Sequence, residues 1–272
     1  MDFNEEGFIG DSIADFKGSV EGKHAQFFEL YRKTNRIAHK MVFHLEIANN
    51  DGQKVIAAAL FIRLLHTFQA VAILAQHGLM LDSKALLRGG LEALFILNLL
   101  CKEKEFLDEY IGSDALRRRK LFNVAADSAS DPNFESLRNY AHSHPEFLEG
   151  LEEEIKKNGW KKLNTKELAE RSGLISMYDT HYRLLSEEVH TVPRSLESLL
   201  GFTEDQTPSS FEWGPSDQEL PFTLLTSVQM LLVGMKAIST LCGIYDQHEE
   251  LLLEIDASLT ELNQALSTLD TQ

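Results

Sequence analysis

The chain has 272 residues, 43% of them hydrophobic, which is enough to bury a sizeable core in one large domain or two small ones. Its 42 acidic and 26 basic residues give a net charge of −16, which excludes a general attraction to DNA or to anionic membranes. The two cysteines form no disulfide or metal pattern, and the N-terminus lacks a secretory signal, so we expect a cytoplasmic protein without membrane contact.

Helical periodicity dominates the first hundred residues, after an acidic N-terminal segment at residues 1–20. Three long helices are predicted: Phe27 to Ile47, Val55 to His77, and a third that begins at Asp82 or Ser83 and runs to Leu100. Gly78 is the expected C-cap of the second helix, and Gly89-Gly90 inside the third indicates close helix packing. Long helices joined by short turns predict an antiparallel bundle.

The middle of the chain is more polar and more broken. Shorter helices are predicted over Ser113 to Asp127, Glu146 to Lys157, Lys166 to Arg171 and Met177 to Val189. The first of them carries the densest positive cluster of the chain, namely Arg117, Arg118, Arg119 and Lys120. This pattern is typical either of a solvated helix face or of a contact with phosphate or an acidic partner.

The C-terminal part combines a long loop with a regular helix. Residues 201–221 contain three prolines and few aliphatic residues, so we expect a loop that Phe211 and Trp213 either anchor or open to a ligand. From residue 246 to 270, leucines and Ile255 follow alternating steps of three and four. This spacing predicts an amphipathic helix that either completes the bundle or associates with a second copy. The whole chain, residues 1–272, is thus predicted to be one all-α domain: an antiparallel multi-helix bundle with long central helices and a polar middle region.

Signatures of common chemistry are missing from the sequence. It has no glycine-rich phosphate loop and no serine nucleophile elbow. Two Glu-x-x-His motifs occur, at Glu21/His24 and Glu187/His190, which is close to the number expected by chance. We therefore expect no metal site and no cofactor.

Several residues resemble the signature of a bacterial family labelled domain of unknown function 5677. The matching positions are Arg88 and Glu92 on one helix, Tyr182, Ser186 and His190 on a later one, and the stretch that begins at Trp160. The resemblance spans roughly residues 37–244 and implies an all-helical fold with no established activity. It points to Arg88, Glu92, Tyr182, Ser186 and His190 as the residues of interest.

The spacing of these residues has a physical meaning of its own. Arg88 and Glu92 are four residues apart on an apolar helix, as are Ser186 and His190 on another, so each pair shares a helix face. If both faces point inward, the two helices present one shared polar cluster, because buried polar groups need partners. Such a cluster is either an internal network that fixes helix register or a catalytic or ligand-binding site.

Arg183 and His190 also resemble the Arg-x(4–6)-His motif of HEPN domains. Two other pairs have similar spacing, Arg32/His39 and Arg138/His144, but Arg183/His190 has the stronger helical context. In HEPN ribonucleases of toxin and phage-defence systems, such residues of two subunits meet at a dimer interface and cleave RNA without metal. The resemblance implies that Arg183 stabilises phosphate charge and His190 transfers a proton.

Two functional hypotheses follow from the sequence. In the first, the protein is a dimeric HEPN-like ribonuclease, with Arg183 and His190 as catalytic residues and Arg117, Arg118 and Arg119 helping to bind RNA. In the second, it is a non-catalytic helical module that binds a protein or a ligand, and its polar cluster is structural. Both leave room for a homodimer formed through helices that include the C-terminal one.

Overall fold

The computed structural model describes residues 3–128, 131–189 and 193–269, and they are almost entirely helical. The α-helices are α1 Phe3–Glu6, α2 Ile13–Lys23, α3 Ala25–His44, α4 Gly52–Gln76, α5 Met80–Lys102, α6 Phe106–Asp127, α7 Glu135–Ser143, α8 Pro145–Asn158, α9 Thr165–Ser172, α10 Ile175–Met177, α11 Arg183–Val189, α12 Leu220–Cys242 and α13 Tyr245–Leu269. Short 3-10 helices cover Gly7–Ile9, Pro132–Phe134 and Pro193–Leu199, and a π-helix covers Tyr178–Tyr182. The prediction of an all-α bundle is confirmed.

The chain divides into two compact units. One unit comprises the described residues of Met1–Lys102 and Ala169–Gln272, and the other is Glu103–Leu168. The prediction of a single domain over residues 1–272 stays a prediction.

The larger unit is a bundle of long helices in which α12 packs against α3, α4, α5 and α13. Its core is formed by aromatic and aliphatic side chains that water does not reach: Phe61, Leu64 and Phe68 of α4, Leu87, Leu91 and Leu94 of α5, and Leu224, Val228 and Leu231 of α12. Burial of such side chains is the main stabilising contribution, at about 1.5–3 kcal/mol each. The three helices approach closely because Gly90 lies against Met230 of α12 and Gly234 lies against Leu64 of α4.

Local sequence signals explain the ends of several helices. The Asp51 side chain accepts a hydrogen bond from Lys54 N and begins α4, and Asn164 caps α9 through its bonds to Lys166 N and Glu167 N. Gly78 ends α4 with a φ of 75°, a conformation that glycine adopts without strain. The predicted C-cap at Gly78 is confirmed, and Pro132 and Pro145 each stand at the first position of a helix.

The smaller unit consists of α6, α7, α8 and the first half of α9. Its core contains Ala115, Leu151 and Ile155, with Phe147 and Trp160 packed at the edge. The Trp160 indole lies directly on Gly112, where a β-carbon would come within 2.2 Å of the ring, and its Nε1 donates to Asp108 Oδ2 at 3.0 Å. A glycine at residue 112 is thus required for this tryptophan to pack on α6.

Three predictions about local structure are wrong. The helix predicted from Ser113 begins at Phe106, since its first two turns pack apolar residues that the polar composition obscured. Residues 201–221 are not one loop: β1 (Leu200–Phe202) pairs antiparallel with β2 (Pro208–Phe211), and α12 begins at Leu220. The strands are too short for an alternating pattern to be visible in the sequence. Finally, Met177 to Val189 is not one regular α-helix, because the π-helix interrupts it.

Phe211 and Trp213 do not anchor the segment before α12 by burial, since 80% and 54% of their surfaces are exposed. The segment is anchored instead by Ser216, whose N–H donates to Gly78 O at 3.2 Å, and by Asp217, which binds Lys23 Nζ at 2.6 Å and His24 Nε2 at 2.8 Å. Burial alone would raise the pKa of Asp217, but these two partners outweigh it and lower that pKa.

Two helices, Gly52–Gln76 and Leu220–Cys242, are long and apolar enough to cross a membrane by length and composition. Core helices of soluble bundles pass the same test, and 56% and 67% of the most apolar windows of these helices are buried in the structure. The two helices are therefore weak grounds for a membrane span, and the cytoplasmic location stays a prediction.

Helix α13 matches its predicted range of 246–270 as far as the structure describes it. Leu252, Ile255 and Leu259 are buried, whereas Leu262 and Leu266 are half-buried. The first half of the heptad pattern thus completes the bundle by packing on α12 and α3. Self-association through the second half stays a prediction.

Candidate functional site

The structure brings four of the predicted residues together between α5 and α11. Arg88 Nε donates to Ser186 Oγ at 3.1 Å, and Arg88 Nη2 donates to Tyr182 Oη at 2.7 Å. Tyr182 Oη in turn donates to Glu92 Oε1 at 2.7 Å, and the guanidinium lies 3.3 Å from the same carboxylate oxygen. The prediction that the two helix faces form one polar cluster is therefore confirmed for Arg88, Glu92, Tyr182 and Ser186.

Backbone geometry explains how Tyr182 reaches this cluster. The π-helix Tyr178–Tyr182 places Tyr178 and Tyr182 on the same side of the chain, with their rings stacked at 5.0 Å. Phe95 of α5 meets the Tyr182 ring edge-on at 6.0 Å. Ser186 follows one turn later, and its hydroxyl donates to Tyr182 O at 2.8 Å. The phenol is thus held by packing on one side and by hydrogen bonds on the other.

The polar atoms of the cluster are matched internally. The Arg88 side chain is 18% exposed, and its guanidinium carbon lies 4.8 Å from the centroid of the Tyr182 ring. Among the described residues, the buried side-chain polar atoms without a partner are Ser12 Oγ and His248 Nδ1, neither of which belongs to the cluster. An arginine that meets a phenol, a hydroxyl and a carboxylate at once connects α5 to α11 and fixes their register.

Of the two predicted catalytic residues, Arg183 lies outside this cluster. Arg183 points away from the cluster, with 68% of its side chain exposed, and its Nη1 lies 3.8 Å from Asp179 Oδ1. His190 lies outside the described residues, one position after the end of α11. The structure thus separates Arg183 from Arg88, Glu92, Tyr182 and Ser186, and the pairing of Arg183 with His190 stays a prediction.

Three residues of the competing arginine–histidine pairs make local structural contacts. Arg138 Nη1 donates to the backbone oxygens of Ser128 at 2.7 Å and Asp131 at 3.0 Å, so it stabilises the turn before α7. His144 stacks on the Tyr140 ring at 4.5 Å. His39 Nε2 lies 2.8 Å from Gln69 Nε2. These contacts explain Arg138, His144 and His39 as parts of the local packing.

The positive cluster on α6 lies beside acidic side chains. Arg117 and Arg118 are exposed, and Arg118 Nε binds Asp114 Oδ2 at 2.7 Å. Arg119 lines a depression of about 580 Å³ together with Glu149, Glu152 and Glu153. The local field is therefore mixed in sign, which weakens any attraction to RNA phosphates. A binding role for these arginines stays a prediction.

A larger groove lies in the bundle unit beside α11, and the sequence did not reveal it. Its volume is about 1070 Å³, and its walls include Leu184 and Glu187 of α11, Trp213, and the first turns of α5 and α12. Lys84, which is 8% exposed, forms an ion pair in the groove with Glu219. The one sequence feature that could have indicated the groove is Lys84, a charged residue inside a helix predicted to be buried.

Glu219 has a backbone conformation that is unusual for its type. It precedes α12 with φ 57° and ψ 15°, in the left-handed region that non-glycine residues rarely adopt. Such a conformation costs of the order of 1–3 kcal/mol and persists where the surroundings impose it. The conformation places the carboxylate on Lys84 in the groove wall.

No group of three or more histidine, cysteine, aspartate or glutamate side chains among the described residues is arranged to bind a metal ion.

A family model described as "Family of unknown function (DUF5677)" matches residues 54–208, more than half of the chain. The chain belongs to the DUF5677 family. The matched part of this DUF5677 member contains α4 to α11, and hence both halves of the Arg88 cluster and much of the groove wall. No curated protein and no solved structure matches the chain. The resemblance to HEPN domains stays a prediction.

Proposed function

We propose that this DUF5677 protein is a non-catalytic helical module that binds a basic segment of a partner protein in the groove beside α11. The observation that carries the proposal is the composition of the groove. Five carboxylates border it, from Asp82, Glu187, Glu197, Glu212 and Glu219. Among the lining side chains that the structure describes, Lys84 is the sole basic one, and Glu219 neutralises it.

Apolar surface between the carboxylates determines the kind of segment that fits. Leu184 is 59% exposed and Trp213 is 54% exposed, and both line the groove with Phe222. Exposed apolar surface surrounded by polar groups is typical of interaction sites. A segment with lysine or arginine on one side and aliphatic residues on the other complements the groove in both respects.

The Arg88 cluster supports a binding role over catalysis. Its carboxylate, hydroxyl, phenol and guanidinium are all engaged with one another, so each would have to break a hydrogen bond before it reacted with a substrate. The cluster positions α11, and α11 contributes Leu184 and Glu187 to the groove. The register of α11 relative to α5 thus determines the shape of the groove.

The test uses a fluorescent peptide of leucine and lysine residues spaced to form an amphipathic helix. We expect the anisotropy of this probe to report binding to the wild-type protein, and a Glu187→Gln/Glu197→Gln variant to bind at least about tenfold more weakly. A Glu149→Gln/Glu153→Gln variant is the matched control, because it removes the same charge from the other unit. Equal weakening in both variants, or no binding to wild type, contradicts the proposal.

Tryptophan fluorescence gives a second readout of the same experiment. The chain has two tryptophans, Trp160 in the smaller unit and Trp213 in the groove. In a Trp160→Phe variant, peptide in the groove should shift the emission of Trp213 to shorter wavelength because it excludes water from the indole. An emission spectrum that does not change on saturation with peptide places the contact outside the groove.

A HEPN-like metal-independent ribonuclease of a toxin or phage-defence system is the second candidate. The specific observation in its favour is that 68% of the Arg183 side chain is exposed at the start of α11, where its ion pair with Asp179 is long, at 3.8 Å. An exposed arginine is free to bind a phosphate group. Its predicted partner His190 follows the end of α11.

Labelled single-stranded RNA, incubated with the protein in EDTA, tests this candidate. Cleavage by wild type that both Arg183→Ala and His190→Ala abolish, with circular dichroism unchanged, supports a ribonuclease. Arg138→Ala is the control that should retain cleavage, since Arg138 stabilises a turn in the smaller unit. If wild type leaves the RNA intact under these conditions, the ribonuclease candidate is rejected.

A further inference from the structure

The outer face of α4 and α5 is apolar and lacks a partner among the described residues. Four aliphatic side chains on it are well exposed: Ile73 at 56%, Val55 and Leu86 at 40% each, and Ile62 at 38%. Ala59 and Gly89 are exposed between them. We call this surface the α4/α5 face. Monomeric soluble proteins rarely leave a contiguous apolar surface of several side chains open to water.

Contacts between the two helices show that the exposed residues form one surface. A β-carbon on Gly90 would lie 3.0 Å from Thr67 Cγ2, so these two residues are at the same level of the antiparallel pair. A second contact lies one to two helical turns from Gly90 and Thr67, where Ser83 Oγ donates to Val71 O at 3.0 Å. Val55, Ala59, Ile62 and Ile73 follow helical spacing on α4, and Leu86 and Gly89 do so on α5.

Gly89 is the central residue of the α4/α5 face on α5. A β-carbon at this position would meet no atom within 4 Å, in contrast to Gly90, whose β-carbon would meet Met230 and Thr67. Glycine in a helix interior costs about 1 kcal/mol relative to alanine, and packing within the described residues gives no reason for it. The missing side chain leaves a depression that lets another helix approach α5 closely.

We propose that a second copy of this chain packs on the α4/α5 face, about a two-fold axis that lies across α5 at Gly89. This axis makes the two copies of α5 antiparallel, and the two Gly89 residues face each other. A symmetric contact of this kind must be complementary to itself. The charges of the α4/α5 face meet that requirement.

Two copies that each carry a net charge of −16 repel one another unless they meet through a surface of low charge. The α4/α5 face is such a surface, since its exposed charged residues are Arg63 and Asp82, of opposite sign, and His66 is beside them. Arg63 lies four residues before Thr67 on α4, which puts it level with residue 94 of the antiparallel α5.

The two-fold axis at Gly89 brings Asp82 of the second copy level with residue 96 in α5 of the first copy. Arg63 and Asp82 of the other copy are then about 3 Å apart along the helix axis, because each residue advances an α-helix by about 1.5 Å. By the same geometry Ile73 of one copy comes level with Ile62 of the other. Each copy thus supplies one basic and one acidic group, so the contact between Arg63 and Asp82 forms twice across the interface.

A substitution at Gly89 tests the contact without loss of the fold. Gly89→Leu places a side chain where the monomer has open space, so the folded monomer is retained, but it separates the two copies of α5. By sedimentation velocity over a roughly hundredfold range of concentration, we expect wild type to dimerise. The variant should need at least about tenfold higher concentration to do so. A dimer of unchanged affinity overturns the proposal, as does a wild type that stays monomeric.

Charge reversal identifies the pair of residues that meet. Asp82→Arg and Arg63→Asp should each weaken the dimer alone, because each places like charges opposite each other. When the two variants are mixed, both contacts become attractive again, so heterodimers should form in excess over either homodimer. Glu250→Arg, at an exposed position of α13, which packs on α3 and α12, is the control for net charge. No excess of heterodimer overturns the proposed axis.

Lipid vesicles distinguish this dimer from a membrane contact. Asp82 also borders the groove, so the Arg63→Asp variant is the one that leaves the groove residues unchanged. A monomeric wild type that sediments with vesicles of neutral phospholipid, and loses this on Gly89→Lys, assigns the α4/α5 face to a membrane surface and overturns the dimer. Peptide binding in the groove should be unaffected by Arg63→Asp, so the two proposals fail independently.

Discussion

Arg88 and Tyr182 contact each other twice: the guanidinium donates a 2.7 Å hydrogen bond to the phenol oxygen, and its carbon lies 4.8 Å from the ring centroid. A cation beside a ring and a hydrogen bond to its hydroxyl together hold the phenol in one orientation. The same phenol donates to Glu92, so the charge of Arg88 is balanced through Tyr182 as well as directly. The contact connects two helices that are about ninety residues apart in sequence.

Loss of Arg88 should therefore destabilise the bundle. Arg88→Met retains the apolar part of the side chain but leaves Ser186, Tyr182 and Glu92 without their shared donor. We expect the free energy of unfolding to fall by about 1.5–3 kcal/mol, the usual range for hydrogen bonds to a charged group. Urea denaturation followed by circular dichroism measures it. Arg183→Met is the control and should change stability by less than about 0.5 kcal/mol, because Arg183 is exposed.

Tyr182→Phe should have a smaller effect that depends on Arg88. The ring and its contact with Phe95 are retained, but the phenol oxygen between Arg88 and Glu92 is lost. We expect a loss of about 1–2 kcal/mol in the wild-type background and clearly less in Arg88→Met, since the partner is already absent there. A double-mutant cycle on unfolding free energies measures this coupling, and additive effects would contradict the network.

Stability should decrease in mild acid because of His248. This side chain is 3% exposed, and its Nε2 lies 3.1 Å from His44 Nδ1. Burial lowers the pKa of His248, and the nearby His44 and Lys40 lower it further. The unfolded chain, with a histidine pKa of about 6.5, then binds more protons than the folded chain as the pH falls below that value. The stabilisation is complete above about pH 6.5 and is lost as the pH falls toward the folded pKa.

The measurement is the free energy of unfolding from pH 8 to pH 5. His248→Phe should flatten the loss of stability in acid, whereas His142→Gln, an exposed histidine of the smaller unit, should leave it unchanged. Equal pH dependence in His248→Phe and wild type would exclude His248 as the cause.

Cys101 should be unreactive in the folded protein. Burial, with a smaller contribution from Cys242, raises the pKa of the Cys101 thiol to about 12, so almost no thiolate is present at pH 8. We expect iodoacetamide at pH 8 to leave Cys101 unlabelled in buffer and to label it in urea, as measured by mass spectrometry of peptides. Labelling in buffer at the rate found in urea would contradict this.

A pair of glycines in the smaller unit tests the packing of Trp160. Gly112→Ala introduces a β-carbon within 2.2 Å of the indole, whereas the same change at Gly150 meets no atom within 4 Å. We expect Gly112→Ala to lower stability and shift the emission of Trp160 to longer wavelength, in a Trp213→Phe background. Gly150→Ala should be neutral or stabilising by up to about 1 kcal/mol. Equal effects of the two changes would contradict the contact.

The sequence was sufficient to predict the long helices and the residues of the polar cluster. Helices α4 and α5 begin and end within three residues of their predicted bounds, because their apolar periodicity extends over more than twenty positions. The spacing of Arg88 and Glu92 predicted that both lie on one helix face, and the shared cluster was expected on the condition that this face and that of Ser186 point inward. The contact between Arg88 and Ser186 meets that condition.

Features that depend on tertiary contacts were not predictable from periodicity. Gly89 and Gly90 are adjacent and chemically identical, yet only Gly90 meets another helix within the described structure. The ion pair of Lys84 with Glu219 joins residues 135 positions apart, and no local pattern connects them. The hairpin strands of three and four residues are shorter than a pattern can reveal.

The π-helix at Tyr178–Tyr182 makes the length of this segment as important as its composition. Each residue turns an α-helix by about 100°, so the loss of one residue here would bring Arg183 to the buried position of Tyr182 and Leu185 to the exposed position of Leu184. A single-codon deletion would thus change which side chains of α11 face α5, although every residue of α11 is retained. Among relatives of this protein, the count of residues between Tyr178 and Ser186 is a criterion for equivalence that residue identity alone does not supply.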